Sequence, residues 1–234
     1  MTGVVRAAGA PLGRLVFTQG VSGVRVLDWD ALFKGGVCAR CGMARGPRTD
    51  EPLRFRHTGA GPARSDGWLA GGPVDGAKVC LYSERFLALL TEEERGLLHW
   101  RPAENTAYGD AAVFELAGSA HRVPLVRPRG APYVERCGDC GWEPPPHHSS
   151  NATQPEWMMR FARAGGFLPP LYVAAADLSD PPPAAFAVGD ARESLLLALH
   201  PARWAEIAAL RGKRRLRGVQ GWDLGVLPPE RVET

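Results

Sequence analysis

The sequence predicts a mixed α/β fold of the α+β kind, and three observations predict it. Short runs of β-branched and aromatic residues, bounded by glycine and proline, recur along the chain and read as strands. Two stretches, 84–95 and 202–210, carry apolar residues at helical spacing and each lies between two such runs. Two Cys-x-x-Cys-Gly turns, Cys38-Ala39-Arg40-Cys41-Gly42 and Cys137-Gly138-Asp139-Cys140-Gly141, bracket a long insert at 43–136 that contains the first of these units.

Taken in order, residues 12–17 and 24–27 read as two short strands with Gly20 and Gly23 between them, and 29–33 as a helical turn running into Gly35-Gly36 and the first cysteine turn. From Gly42 to Gly76 the composition is loop-like, with a strand at 53–56 and Trp68-Leu69 as an anchor to the core. Residues 78–82 read as a strand, Ser83 as an N-cap, and 84–95 as one helix burying Phe86, Leu87, Leu89 and Leu90. Gly96 ends that helix, 97–100 continues as a strand before Pro102, and 113–116 and 121–126 supply two more. Pro144 to Asn151 carries three prolines, His147-His148 and two serines, a stiff and then loose linker placed at 144–152.

The C-terminal part repeats the plan of the insert. Residues 195–199 read as a strand, His200-Pro201 as a helix start, and 202–210 as a helix with Trp204, Ile207 and Ala208 on one face. Gly218-Val219-Gln220-Gly221-Trp222 then follows as Gly96-Leu97-Leu98-His99-Trp100 follows the first helix, and Arg85-Phe86 matches Arg203-Trp204. A duplicated strand–helix–strand unit is therefore expected, with 153–234 a diverged copy of 78–102 and 1–143 the cysteine-bearing domain.

Composition limits the partners. A chain of 234 residues that is 45% hydrophobic can bury a real core, and a net charge of +3 sets up no strong global field toward nucleic acid or an anionic membrane. Lysine occurs only at Lys34, Lys78 and Lys213, so the arginine content reflects a compositional bias rather than phosphate recognition. Met1 to Ala10 lacks the apolar segment of a secretory signal, and no run approaches the ~18 apolar residues of a membrane span. A cytoplasmic, reducing location is expected, where thiols persist.

The cysteines carry the chemistry. Two residues between the members of each pair let both sulfurs face into one tight turn, and the glycine that follows removes a Cβ from beside the backbone N–H groups that face them. Cys38, Cys41, Cys137 and Cys140 together make the four-thiolate set of a zinc-ribbon-like site, so Zn2+ is the expected cofactor in a structural role. Two local disulfides, or four unpartnered thiols, are the competing readings. A redox pair needs a helix start to lower a thiol pKa, and the segments after Gly42 and Gly141 break helix at once. Cys80, within Val79-Cys80-Leu81-Tyr82, reads as packing.

Catalytic signatures are missing. No Gly-x-Ser-x-Gly, His-Glu-x-x-His or strand-linked Gly-x-Gly-x-x-Gly occurs. Gly71 to Lys78 resembles a phosphate loop, but an alanine precedes Lys78 and Val79 stands where a magnesium-binding hydroxyl belongs. Zinc deaminases need a His-x-Glu, and none of the six histidines supplies one. No catalytic residue is assigned. The run Arg211-Gly212-Lys213-Arg214-Arg215-Leu216-Arg217 suits a solvated helix end better than a phosphate track, and no aromatic residues interleave it.

The double Cys-x-x-Cys-Gly layout with its long insert, the Tyr82-Ser83-Glu84-Arg85-Phe86 helix start and the closing Leu216-Arg217-Gly218-Val219 strand resemble the double-CXXCG motif proteins of predatory soil bacteria, from about Val16 to Val232. That resemblance implies an immunity protein, not an enzyme, that binds and neutralises a cognate protein toxin. The proline common inside the family's first turn is replaced here by Ala39-Arg40, and the second turn carries Gly138-Asp139; neither change removes a ligand. The surface features then available to a toxin are the Pro/His linker, the acidic run Glu92-Glu93-Glu94 and the basic run after Arg211. The alternative function is a zinc-ribbon module that binds nucleic acid or regulates expression.

Overall fold

The computed structural model describes residues 13–18, 24–57, 66–71, 78–106, 112–126, 129, 136–141, 171–189, 195–210 and 219–232. Among these the β-rich runs fold into two groups of strands. Strands β2 (Val24–Leu27), β3 (Leu53–His57), β4 (Gly67–Gly71), β5 (Lys78–Ser83), β6 (Leu98–Asn105) and β7 (Val113–Ser119) close into a barrel in the order β2-β3-β6-β7-β5-β4. Strands β1 (Gly13–Thr18), β8 (Arg122–Val123), β9 (Leu171–Ala174), β10 (Ala185–Val188), β11 (Leu196–Leu199) and β12 (Val219–Leu227) form a six-stranded sheet in the order β8-β10-β11-β1-β12-β9. The chain is thus mixed α+β and mostly sheet, as expected in class.

Period-two patterning explains the barrel. In β3, Leu53 and Phe55 are buried while Arg54 and Arg56 are exposed, because successive side chains of a strand point to opposite faces. The inward set of Val26, Leu53, Phe55, Trp68, Val79, Leu81 and Val113 packs as one cluster. The open sheet is different: its middle strands are apolar on both faces. Ala185 and Ala187 of β10 join one cluster and Phe186 and Val188 another, which is why β10 and β11 read as continuous apolar runs rather than as alternating ones.

Barrel and sheet share a core. Cys80, Tyr82, Phe86, Leu87, Leu90, Leu98 and Leu116 from the barrel side pack with Leu197, Leu199, Trp204, Ile207 and Val219 from the sheet side in a single cluster. The sheets do not follow the expected division into 1–143 and 153–234: β1 and β8, from the N-terminal side, lie in the same sheet as β9 to β12. Pairing is decided by which apolar faces meet, and β1 lies between β11 and β12, antiparallel to both. The linker at 144–152 lies outside the described residues.

The predicted single helix at 84–95 is two short ones, α1 (Glu84–Leu87) and α2 (Glu92–Gly96). Ser83 caps α1 as expected, its hydroxyl accepting from the Phe86 N–H at 3.2 Å. The break comes from a second start signal. Thr91 accepts from the Glu94 N–H at 3.1 Å while the Glu94 carboxylate accepts from the Thr91 N–H at 2.7 Å, a reciprocal cap that begins a new helix where continuous periodicity suggested one. Strand β6 also runs through Pro102, where the expectation stopped it. Pairing with β3 begins one residue later, at Leu53 with Ala103, so at the proline β6 has a neighbour on the β7 side alone.

The second strand–helix–strand stretch is β11, α3 (Pro201–Leu210) and β12. Trp204 lies against β12 so closely that a Cβ at Gly221 would overlap its indole ring. Arg203, beside it, forms a bidentate pair with the buried Glu94, Nε to Oε1 at 2.7 Å and Nη2 to Oε2 at 3.2 Å, and donates a further bond to the Leu89 carbonyl at 2.6 Å. The planar guanidinium fork therefore ties the start of α2 to α3 across the shared core.

Two substitutions test this arrangement. Arg203→Ala strands the Glu94 carboxylate in the interior and is expected to cost about 3–5 kcal/mol, read as a lower urea midpoint. Gly221→Ala is expected to cost about 1–3 kcal/mol because the indole of Trp204 has to move; an unchanged midpoint would contradict that packing.

Candidate metal centre

The first cysteine turn sits at the tip of a hairpin made by residues 33–48. Phe33 bridges to Arg48 and Val37 to Ala44, the Lys34 N–H donates to the Pro47 carbonyl at 2.9 Å and the Arg45 N–H to the Gly36 carbonyl at 3.0 Å. Two features of sequence permit the sharp path. Gly36 has φ +71°, in the left-handed region, and a Cβ at Gly46 would strike the Lys34 backbone carbonyl. The Asp30 carboxylate accepts from the Val37 N–H at 3.1 Å and so fixes the strand that leads into Cys38.

Packing holds the hairpin on the barrel. Trp29, Leu32, Phe33, Met43 and Ala44 belong to the same cluster as the barrel interior, with Val37 and Cys41 packed against it. At the hairpin base Arg48 reaches Glu115 of β7 with both forks, Nε to Oε1 and Nη2 to Oε2 each at 2.9 Å. Its remaining donors go to the carbonyls of Leu32, Thr49 and Glu51. Glu115 is 3% exposed, a buried charge that is paired and hydrogen-bonded as burial requires.

The two cysteine turns have the same local structure. The Gly42 N–H donates to the Cys38 carbonyl at 2.7 Å and the Gly141 N–H to the Cys137 carbonyl at 2.8 Å. Gly42 has φ 72° and Gly141 φ 68°, a conformation that glycine adopts without the Cβ penalty. The expected reason was a Cβ that would crowd the turn, but at Gly141 a Cβ would meet nothing within 4 Å, so the positive φ is what calls for glycine there.

The tertiary fold brings the turns face to face. Cys38 Sγ lies 3.8 Å from Cys137 Sγ, Cys41 Sγ lies 3.6 Å from Cys140 Sγ, and all four sulfurs are within 4.8 Å of one another. Sulfurs at the corners of a tetrahedron with 2.3 Å metal–sulfur bonds are about 3.8 Å apart, so the observed spacing fits one shared ion. It is far from the ~2.05 Å of a disulfide, and all five cysteines are free thiols. Cys38 is fully buried, the other three ligands are half-buried, and Cys80 is 2% exposed in the shared core, where the sequence expected it.

Local hydrogen bonding prepares some of the thiols to ionise. The Cys41 N–H, followed by that of Arg40, draws the Cys38 thiol down to about 7, and the N–H groups of Asp139 and Cys140 lower that of Cys137. Cys41 is pushed up, chiefly by burial and then by its sulfur neighbours, so in the metal-free site it holds its proton. A bound cation would supply the counter-charge for four crowded thiolates, and four sulfur ligands would leave no tetrahedral position open to a substrate.

Several features were not legible as a site in the sequence. Arg40 and Asp139, which hold the same place in the two turns, pair across the centre at 3.4 Å on the surface, and Arg40 lies over Gly138. Their opposite charges at matching motif positions were the available signal. Nothing local announced the Arg48–Glu115 clamp. The acidic run is a correction: Glu92 and Glu93 are exposed, but Glu94 is buried and paired with Arg203, so it is no part of a surface patch. His147, His148 and the basic run at 211–217 lie outside the described residues.

Metal uptake should therefore depend on pH in a specific way. Well above pH 7 Cys38 has largely lost its proton, whereas Cys41 still holds one that the metal must displace; well below pH 7 Cys38 carries one as well. The apparent affinity, measured in competition with a chromophoric chelator, is expected to fall more steeply by about one proton as pH drops through about 7. Cys38→Ser and Cys140→Ser should each abolish stoichiometric binding, while Arg40→Ala changes stability by less than about 1 kcal/mol because its ion pair is exposed.

Comparison with protein-family models, with curated proteins and with solved structures finds no match to this chain.

Proposed function

We propose that this chain is a zinc-clipped immunity protein, a non-enzymatic scaffold that binds and neutralises a cognate protein toxin. The observation that carries the scaffold part is the closed set of four thiols. Cys38, Cys41, Cys137 and Cys140 approach one another at tetrahedral spacing with every ligand position taken, the pattern of a structural rather than a catalytic zinc site. Thiolate ligands in a tetrahedron favour zinc or iron, and zinc, which has no redox chemistry, suits the structural role proposed. Held there, zinc would fasten residues 137–140 to the barrel hairpin and perform no reaction.

The immunity part rests on the resemblance of the paired cysteine turns and the Ser83-Glu84-Arg85-Phe86 helix start to the double-CXXCG proteins. A toxin inhibitor needs a rigid face of roughly 800 Å² per partner, and a barrel and sheet that share one core meet the requirement for rigidity. The same reading treats the two strand–helix–strand stretches as diverged copies. In each, the two strands are parallel and flank one antiparallel strand, β7 between β5 and β6 and β1 between β11 and β12. The central strand follows the unit in the first case and precedes it in the second.

The test has two parts. Elemental analysis of the reduced protein is expected to give one zinc per chain; iron, or no metal, removes the zinc assignment. Co-expression with the product of the neighbouring reading frame is expected to restore growth that this product alone arrests. Salt-sensitive binding to DNA or RNA with no such rescue would instead favour the nucleic-acid reading.

A further inference from the structure

The outward positions of β2 and β3 carry a charge arrangement that the fold does not explain. Arg25 of β2 and Arg56 of β3 are directly opposite in the antiparallel register, and both are exposed. Opposed residues on neighbouring strands have Cβ atoms about 4.5–5.5 Å apart, so like charges there repel and destabilise the pair. Among the described residues no carboxylate pairs with either. The contrast with their neighbour is sharp. Arg54, two residues along β3, is held by Asp28 at 3.5 Å and Glu104 at 3.6 Å. On the other side of β2, Arg25 is in register with Gly71 of β4, which puts no side chain next to it.

We propose that this cationic pair on the barrel, Arg25 and Arg56, is the docking surface for an acidic face of the partner protein, an inference that rests on reading the chain as a protein-binding scaffold. Two guanidinium forks side by side match a pair of carboxylates, each of which accepts two parallel N–H bonds. Repulsion within the free protein is relieved when those carboxylates arrive, so the surface trades stability for binding. A carboxylate partner fits better than a nucleic acid. The outward residues of β2 and β3 are Arg25, Leu27, Arg54 and Arg56, none of them an aromatic platform for a base, and the net charge of the chain is only +3.

The experiment uses the full metal-loaded chain and two probes of equal charge, an octaglutamate peptide and a single-stranded oligonucleotide, at low salt. Binding is followed by fluorescence anisotropy, with the arginine Nε–H signals as a site-specific readout. The peptide is expected to bind, to shift the Arg25 and Arg56 signals, and to lose at least tenfold in affinity in the Arg25→Gln/Arg56→Gln double variant, whereas Arg54→Gln changes it less than twofold. The double variant should also melt about 1–3 °C higher, because a repulsive pair is gone. Equal binding by the double variant, tighter binding of the oligonucleotide than of the peptide, or a lower melting temperature would each overturn the proposal. The peptide measurement needs no toxin, so its failure is distinguishable from a failure of growth rescue, which bears on the immunity reading alone.

Discussion

The constraint on which the candidate site depends is the meeting of four thiols from two distant parts of the chain. One pair is anchored by the barrel: Cys38 and Cys41 stand on a hairpin whose base is fixed by Arg48 on Glu115 and whose inner side is packed by Met43 and Phe33. The second pair meets the first through the Arg40–Asp139 contact and through the approach of the sulfurs themselves. A metal there closes a loop that contains β3 to β8. Closing a long loop restricts the unfolded chain more than closing a short one, though the increment grows only with the logarithm of length. An ion held by these four sulfurs would be a clip on a core formed from apolar contacts, rather than the centre of that core.

That core is continuous across the two groups of strands, and two buried arginine–carboxylate pairs fix how the parts meet. Each glutamate is nearly inaccessible and each arginine is bidentate. Such pairs add less net stability than their geometry suggests, since desolvation offsets most of the attraction. Their consequence is orientational. A carboxylate buried without its fork is so unfavourable that alternative packings of the hairpin on β7, or of α3 on α2, are strongly disfavoured.

Surface charge behaves differently. Arg40 and Asp139 cross the metal centre in solvent and contribute little, and Arg54 is neutralised by two neighbours. Arg25 and Arg56 stand out against this background because the register forces them together. A protein that binds another must carry some unmet interaction on its free surface, and an unneutralised pair of forks is one physical form of it.

The sequence by itself determined what depends on neighbours a few residues apart. The Cys-x-x-Cys-Gly turns, the Ser83 cap, the strand at Leu53 to Phe55 and the helix beginning at Pro201 all follow from spacing, capping chemistry or period, and the glycine after each cysteine pair takes the left-handed conformation that the turn demands. It misjudged 84–95, where the Thr91 and Glu94 cap overrides helical periodicity, and it saw Glu94 as surface. The tertiary structure alone decided that β1 enters the sheet of the C-terminal strands, that Arg203 finds Glu94, and that four sulfurs come within 4.8 Å. Those outcomes depend on which apolar faces pack together and on which strand edges remain to be paired, and neither is set by residues close together in the chain.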